Sequence, residues 1–229
     1  MNKIILDEWL STMVKKPAYL LQLIHANLKQ KDLPKGKIFI WSKISVGDIR
    51  RLICLQKLGF YIVDTNIQFS LSKKISFVNN FNLRFAKPSD ESGVRALAKN
   101  AFKFSRFYKD PNISTKVACK IKEEWAGNFF LGNRGKWMVV VEENSKVIGF
   151  LQLLEKNKNT VVIDLIAIDE NKKGKGLAKQ MILYAYENCL KKNGIMEVGT
   201  QIANISSIKL YSKLGFKMNS ATYVLHKHG

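Results

Sequence analysis

A short basic loop with two glycines lies between a predicted strand and a predicted helix. Residues Asn171 to Gly176 hold three lysines and two glycines that are separated by one residue. Glycine lets the backbone turn its N–H groups toward an anion, and the start of the following helix adds the positive end of its dipole. This combination is typical of a pyrophosphate site. Because the loop lacks the P-loop pattern and the third glycine of a Rossmann fingerprint, an ordinary turn with solvated lysines stays open.

A tyrosine on a later helix has the chemistry of an acid. Asn204 is a good N-cap for that helix, Tyr211 follows seven positions later, and Gly215 is suited to the helix end. A phenol has an ordinary pKa of about 10, so at neutral pH it carries a proton that it can donate. By spacing alone, a core aromatic on an amphipathic helix is the more common explanation.

These side chains need a sheet to position them, and the residue patterns predict one. Apolar periodicity and end signals predict helices over 48–59, 88–102, 115–130, 177–192 and 204–215. Runs of β-branched and aromatic residues predict strands over 37–44, 61–71, 82–86, 137–142, 147–155, 160–169, 195–201 and 221–226. Residues 7–27 are predicted as one or two helices broken near Pro17, and 103–114 as a loop. The order is typical of an α/β protein with a mixed sheet.

The chain divides near a polar stretch at 73–80. We therefore predict a smaller N-terminal α/β domain over 1–80 and a second domain over 81–229. A helix, then Lys-Leu-Gly-Phe, then a strand occurs at 57–60 and again at 213–216, a spacing of 156 residues. This weak echo suggests that the first domain is a partial copy of the end of the second, although a chance match of four residues stays open.

Together, the loop and the tyrosine helix resemble the GNAT superfamily of acyltransferases. The loop is similar to that family's R/Q-x-x-G-x-G/A motif, with Asn171 as a departure at the first position, and residues 204–216 match its N-x-x-[AS]-x-x-x-Y-x-x-x-G-F pattern. The resemblance implies the GNAT fold, acyl-CoA as co-substrate and no metal. The coenzyme-binding residues that it implies are Ile166, Ala167, Ile168, Lys172, Lys173, Gly174, Lys175, Gly176, Leu177, Asn204 and Ser207.

The resemblance also implies a mechanism, in which a neutral amine attacks the thioester directly. Tyr211 would protonate the departing thiolate, and Asp164 on the strand before the loop, or simply water, would act as base. Asp164 has an alternative explanation as a structural carboxylate. The sequence shows no Ser-His-Asp or Cys-His arrangement, so no covalent intermediate is expected.

A closer resemblance covers nearly the whole chain and concerns the nucleotide-sugar N-acyltransferases of the GNAT type, including those of the dTDP-fucosamine acetyltransferase kind. It rests on residues 58–60, 63–65, 101–102, 105–107 and 220–223, with Trp125, Thr200, Gln201 and Asn204. It implies an N-terminal, partial GNAT-like domain. The acceptor would be a dTDP-linked amino-dideoxyhexose for surface polysaccharide such as lipopolysaccharide O-antigen, and the acyl group acetyl or 3-hydroxybutyryl. The implied acceptor contacts are Arg106, Phe107, Tyr108, Lys109 and Gln201.

Composition limits the partners of the chain. The 229 residues carry a net charge of +20, with lysines spread along the chain, which favours an anionic small molecule over nucleic acid. No run of eighteen apolar residues and no signal peptide are evident, so we expect no membrane and a cytoplasmic location. A homodimer stays open. Two rival functions also stay open: a GNAT enzyme for a protein or polyamine amine, and a non-enzymatic nucleic-acid-binding module.

Overall fold

The computed structural model of the chain describes residues 2–72, 81–191 and 193–229. Its strands are β1 (Lys3–Leu6), β2 (Ala18–Gln22), β3 (Phe39–Ser45), β4 (Tyr61–Leu71), β5 (Leu83–Phe85), β6 (Trp137–Glu143), β7 (Lys146–Asn157), β8 (Thr160–Ile168), β9 (Ile195–Gln201) and β10 (Lys217–His228). Its helices are α1 (Glu8–Val14), α2 (Ile49–Lys57), α3 (Glu91–Ala101), α4 (Arg106–Lys109), α5 (Thr115–Gly127), α6 (Leu177–Cys189) and α7 (Ile205–Lys213). Among these residues, no helix combines the length and apolarity that a membrane span requires.

The ten strands form one mixed sheet in the order β1-β2-β3-β10-β4-β9-β8-β7-β6-β5. Two neighbouring pairs, β2 with β3 and β8 with β9, are parallel, and the others are antiparallel. The predicted mixed α/β architecture is therefore confirmed.

Helices cover both faces of the sheet. On β6, Val139 and Val141 belong to the core beneath α6 and α7, whereas Met138 and Val140 belong to the core beneath α3 and α5. Such alternation buries both faces of a strand. In the N-terminal part, α2 packs on the same side as α6 and α7, and α1 joins α4 and α5 on the other side.

The first residues differ from the prediction of one or two helices over 7–27. Only α1 is helical there, and Lys15 ends it in the left-handed conformation at φ 55°. Residues Ala18 to Gln22 form β2 instead, because they pair with β1 on one side and β3 on the other. This pairing with distant residues overrides the local helical pattern. The predicted loop over 103–114 likewise contains α4, whose N-cap is Ser105.

Strand pairing crosses the predicted domain boundary. β10, from the C-terminal part, lies between β3 and β4 of the N-terminal part, and β4 in turn lies beside β9. The polar stretch at 73–80 that suggested the boundary, and position 192 at the predicted end of α6, lie outside the described residues. Whether 1–80 and 81–229 are separate domains stays a prediction.

The sequence echo corresponds to a structural repeat with local two-fold symmetry. Each element of the unit β9-α7-β10 begins 156 residues after the corresponding element of the unit β3-α2-β4. Their last strands pair with each other symmetrically: Tyr61 lies opposite His226, and Lys217, which is equivalent to Tyr61, lies opposite Ser70. Even the two irregularities in this pairing, at Val63 and Asn219, are related by the same offset. The repeat is therefore a repeat of structure as well as of four residues.

Candidate functional site

Two neighbouring parallel strands separate part-way along their length. β8 pairs with β9 only from Thr160 to Ile163, although β8 continues to Ile168 beside β7. The register between β7 and β8 shifts at Asp164, where the separation begins. Bulges commonly redirect a strand in this way near active sites. In the described structure the outer edge of β8 after Asp164 has no strand partner, so its backbone groups are free to pair with an extended ligand.

The glycine loop follows this free edge. Gly174 and Gly176 have φ values of 79° and 81°, a left-handed conformation that glycine adopts without strain. Gly176 is the N-cap of α6 and offers no side-chain cap, so the first N–H groups of the helix remain available to an anion. Lys172 pairs with Glu143 and Lys173 with Glu170, which offsets part of the lysine charge. The backbone amides of the loop therefore remain available as donors to an anion.

A groove of about 380 Å³ runs from the free edge of β8 across the loop to α7. At its α7 end, the Asn204 side chain accepts a hydrogen bond from the Ser207 backbone N–H at 3.2 Å, which caps the helix. Lys175 lies outside its wall. The predicted coenzyme-binding residues in its wall are Ile166, Ala167, Ile168, Lys172, Lys173, Gly174, Gly176, Leu177, Asn204 and Ser207.

Tyr211 lies where the strands separate. Its side chain is 2% exposed and packs near Phe69 and Phe216, with ring centroids 6.0 and 5.5 Å away. Burial raises the pKa of Tyr211 well above its ordinary value, so the phenol is protonated at neutral pH. Tyr211 lines a small cavity of about 120 Å³, the junction, together with Asn204 on the groove side and Gln201 on the other side.

Beyond the junction lies a larger cavity of about 760 Å³, between the sheet and helices α1, α4 and α5. It shares wall residues Asp164, Lys122 and Gln201 with the junction, which in turn shares Asn204 with the groove. The three spaces therefore form a continuous path past Tyr211. The charged residues in the wall of the large cavity are Asp7, Lys43, Asp64, Arg106, Lys122, Arg134 and Asp164.

Asp164 is held by several donors. Arg134 binds both carboxylate oxygens at 2.7 Å, and the Trp125 indole and the Gln152 amide donate to Oδ2 at 2.9 and 3.2 Å. Four donor atoms therefore occupy the oxygens of this carboxylate, two of them from one guanidinium. These contacts favour the structural alternative for Asp164 over the predicted role as base.

Three cations in the cavity wall, Lys43, Arg106 and Lys122, have no carboxylate within 4.0 Å among the residues described. The Arg106 guanidinium lies over the rings of Trp41 and Phe107, at 4.0 and 4.4 Å from their centroids, and the Lys122 ammonium lies 4.2 Å from the Trp125 ring centroid. Burial lowers the pKa of Arg106 to about 9 and that of Lys122 to about 8. Since buried charge without a counterion is costly, this wall favours an anionic ligand.

Asp64 is a further carboxylate in the wall of this cavity. It forms no ion pair with any residue that the structure describes, and its surroundings disfavour its charged form. It lies on β4, and burial raises its pKa to about 6 against the opposing effects of a backbone hydrogen bond and of Lys43 and Arg106. No role is predicted from the sequence for Asp64, Lys43, Lys122 or Arg134. Asp64 begins a run of polar residues at alternate positions of an otherwise apolar strand, a signal that indicates a polar face. The other three give no comparable signal.

The five predicted acceptor contacts are divided by the structure. Arg106 and Gln201 line the large cavity. Phe107 also borders it, but its side chain is 1% exposed and its ring lies against Arg106, so it supports that residue and is not free to stack on a ligand. Tyr108 and Lys109 lie outside the wall, and the Lys109 ammonium is 5.7 Å from the Phe104 ring. Direct contact with a ligand in this cavity is therefore not supported for those two residues.

A cluster of Asp110, His226 and His228 lies behind Arg106. The carboxylate Oδ2 of Asp110 is 2.6 Å from Nδ1 of His226 and 2.8 Å from Nε2 of His228. Although one ligand atom from each residue could approach a metal ion, the three atoms already satisfy each other at hydrogen-bond distances, and the cations Arg106 and Lys16 contact the outer ring nitrogens. A hydrogen-bond network explains the cluster, which the sequence analysis left without a role.

Comparison with known proteins agrees with this architecture. Residues 102–216 match the family described as Acetyltransferase (GNAT) family. The whole chain superposes on a GCN5-related N-acetyltransferase from Sphaerobacter thermophilus with a TM-score of 0.61, over 99% of this chain and 76% of that one, at 10% identity. The superposition confirms the predicted fold.

Two relatives are similar in sequence over 82% of this chain. The spore coat polysaccharide biosynthesis protein SpsD of Bacillus subtilis (strain 168) is 31% identical over 194 residues, and the match covers 66% of its length. The dTDP-fucosamine acetyltransferase of Escherichia coli O6:H1 is 25% identical over 190 residues, and the match covers 81% of its length. The chain thus corresponds to about two thirds of the first relative and most of the second.

Proposed function

Since this chain belongs to the GNAT acetyltransferase family and is an acyl-CoA-dependent transferase, we propose that it acylates the amine of a dTDP-linked amino-dideoxyhexose. The product would serve the synthesis of a surface polysaccharide such as O-antigen. Acetyl is the default acyl group, and 3-hydroxybutyryl is the alternative. The similarity to a dTDP-fucosamine acetyltransferase and to a spore coat polysaccharide protein supports this acceptor class. A cytoplasmic location and a homodimer belong to the same proposal.

One observation carries the proposal: the large cavity has uncompensated positive charge at its wall and opens at the junction toward the coenzyme groove. A nucleotide diphosphate would neutralise Arg106, Lys43 and Lys122, which have no carboxylate within 4.0 Å in the described part of the chain. The amino sugar at its other end could then reach Tyr211. A polyamine or a protein lysine would bring further positive charge to the same wall, so both are less favoured.

The residues of this chain would divide the work as follows. The backbone of Ile166 and Ile168 would hold the pantetheine arm along the free edge of β8, and the loop amides from Lys172 to Leu177 would hold the pyrophosphate. The N–H of Ile168 could polarise the thioester carbonyl. Each of these contacts uses backbone groups, so none of them would depend on the side chain of Asn171 at the first loop position.

Tyr211 would supply the proton for the leaving thiolate. As the neutral amine forms its N–C bond, the C–S bond breaks and the sulfur takes the phenolic proton. The surplus proton of the amine then returns through water to the phenolate, so that Tyr211 is protonated again for the next turnover. Asp164 would keep Arg134 and Trp125 in place at the cavity wall. Its role as base stays a prediction that its four donors do not support.

The test is an acyl-transfer assay with acetyl-CoA and 3-hydroxybutyryl-CoA against a panel of dTDP-amino-dideoxyhexoses. Thiol release and product mass would be followed, with the same sugars lacking the nucleotide, spermidine and a lysine peptide as acceptor controls. We expect release that depends on one nucleotide sugar and is small with the controls. Transfer to spermidine or peptide alone would refute the acceptor class. Binding of DNA that falls steeply with salt, without acyl-CoA binding, would favour the nucleic-acid alternative.

A further inference from the structure

A fully buried carboxylate organises the wall of the large cavity from behind. Asp110 follows α4, and its side chain is 0% exposed. Oδ2 accepts hydrogen bonds from His226 and His228, and Oδ1 accepts from the Tyr61 hydroxyl at 2.7 Å and the Asn112 backbone N–H at 2.9 Å. Burial acts to raise the pKa of Asp110, but these donors outweigh it and hold the pKa below its ordinary value. Asp110 is therefore an anion whose lone pairs are satisfied.

The carboxylate fixes the tautomers of both histidines. Because Nδ1 of His226 donates to Asp110, its Nε2 keeps a lone pair, which lies 3.2 Å from the Arg106 guanidinium. Because Nε2 of His228 donates to the same oxygen, its Nδ1 accepts from Lys16 at 2.9 Å. Burial lowers the pKa of His226 to about 4, so this ring is neutral at pH 7. Two hydrogen-bond chains, called the two arms below, therefore start at Asp110: one runs through His226 to Arg106, and the other runs through His228 to Lys16. Only the arm through His226 ends at a residue that lines the cavity.

Arg106 is set in place by this arm and by two neighbouring aromatic rings. One N–H group is directed to His226, and the guanidinium carbon lies 4.0 and 4.4 Å from the ring centroids of Trp41 and Phe107. The guanidinium carries further N–H donors, and Arg106 lines the cavity. A planar donor fork that is already oriented loses little side-chain entropy when it binds phosphate oxygens.

We propose that Asp110 and His226 are positioning residues that hold Arg106 as the receptor for the diphosphate of the acceptor. This inference rests on the proposed function only for the identity of the sugar. The anion site itself would bind dTDP without acyl transfer. Affinity for the nucleotide would come from Arg106, and its orientation toward the cavity from the buried pair behind it.

The two arms offer a matched pair of variants. In His226→Asn the amide nitrogen takes the place of Nδ1 and keeps the bond to Asp110, but the acceptor for Arg106 is lost. In His228→Gln the amide nitrogen takes the place of Nε2, and only the acceptor for Lys16 is lost. We expect calorimetry to show dTDP binding weakened about tenfold by His226→Asn and unchanged by His228→Gln. The Kd for CoA should stay the same in both variants, because CoA occupies the separate groove.

A double-mutant cycle separates positioning from general destabilisation. In an Arg106→Gln background, dTDP binding should already be weak, and His226→Asn should weaken it no further. Arg106→Lys keeps the charge at the cavity wall but loses the planar fork, so it should not restore the affinity. Equal losses from His226→Asn and His228→Gln, additive losses in the cycle, or wild-type affinity in Arg106→Lys would each overturn the proposal. Thermal unfolding of every variant shows which proteins are folded. If His226→Asn does not fold, the dTDP affinity of Arg106→Lys still tests the proposal.

The same data keep this inference apart from the proposed function. Binding of dTDP that depends on Arg106 and His226, without acylation of any nucleotide sugar, would support the anion site and refute the acceptor. Acylation of a nucleotide sugar whose KM is unchanged by Arg106→Gln would support the acceptor and refute the anion site.

Discussion

The two halves of the repeat show what a common scaffold contributes and what the chemistry adds. In the N-terminal unit, β2 pairs with β3 over four residues, and in the C-terminal unit β8 pairs with β9 over the four equivalent positions of β9. β2 then ends at Gln22, whereas β8 continues to Ile168 and leaves a free edge. Residues 23–38 connect β2 to β3 with only a short 3-10 turn, where the other unit has the glycine loop and α6. The scaffold is shared, and the groove is an addition to one copy.

The equivalent helices make the same point at a single position. Leu55 of α2 and Tyr211 of α7 are both buried, and each accepts a hydrogen bond at its carbonyl from the phenylalanine five residues later, Phe60 and Phe216. Packing at this position therefore needs a large side chain, which Leu55 also provides, and does not need a hydroxyl. The hydroxyl of Tyr211 is available for chemistry.

The largest effect is expected from Tyr211→Phe. Removing the hydroxyl leaves the ring packed against Phe69 but deprives the leaving thiolate of its acid, so kcat should fall by about 10²–10⁴. The Kd for acetyl-CoA should change by less than about twofold, because the coenzyme contacts proposed for the groove use backbone groups and not the Tyr211 hydroxyl. Thiol-release kinetics and calorimetry measure the two quantities.

The equivalent residue of the other unit provides the control. Leu55→Ala should lower the free energy of unfolding by about 2–5 kcal/mol, since it leaves a cavity in the core. The kcat of the molecules that remain folded should be unchanged. If Tyr211→Phe keeps full turnover, Tyr211 fills the core as Leu55 does and is not the acid of the reaction. The two helices would then differ in packing alone.

A smaller effect is expected from substitutions of glycine in the segments that follow β2 and β8, the first strands of the two parallel pairs. Gly174 and Gly36 both have positive φ values, 79° and 93°, and an added Cβ would meet nothing within 4 Å at either position. Valine at either site should therefore cost a similar strain energy of about 1–3 kcal/mol. Only Gly174 borders the groove, so Gly174→Val should weaken acetyl-CoA binding by roughly tenfold to a hundredfold, whereas Gly36→Val should not. Equal affinities in the two variants would show that the loop does not bind the coenzyme.

Some features of the two units can be predicted from the sequence and others cannot. The difference is whether a feature is determined by residues close together in the chain or by residues far apart. β4 and β9 have the predicted bounds, and the loop at 171–176 and the predicted tyrosine line two connected spaces, the groove and the junction. These features depend on local patterns and short motifs. β1 and β2 were missed, because they are defined by pairing with each other and with β3 and not by a local pattern.

The large cavity escaped prediction for the same reason. Lys43, Asp64 and Lys122 lie on β3, β4 and α5, far apart along the chain, and only the fold brings them to one wall. Asp110 and His226 are 116 residues apart and give no spacing signal. The separation of β8 from β9 is likewise a property of the sheet. Residues that act through a motif could be predicted, whereas residues that act through the tertiary structure could not.

The smallest expected effect concerns two strand positions related by the repeat, Asp64 on β4 and Ser220 on β10. Ser220 is exposed, whereas Asp64 faces the cavity, where burial raises its pKa from 3.8 to about 6. The folded protein therefore binds this proton more tightly than the unfolded chain does, and the free energy of unfolding falls as the pH rises from about 4 to about 6. Asp64→Asn removes this loss, so the variant should gain roughly 1 kcal/mol over wild type between pH 4.5 and pH 8. Urea unfolding at the two pH values measures the gain, and Ser220→Asn should show none. If Asp64→Asn keeps the pH dependence of the wild type, burial in the cavity does not raise the pKa of Asp64. Asp64 would then contribute no more to the pH dependence of stability than the exposed Ser220 does.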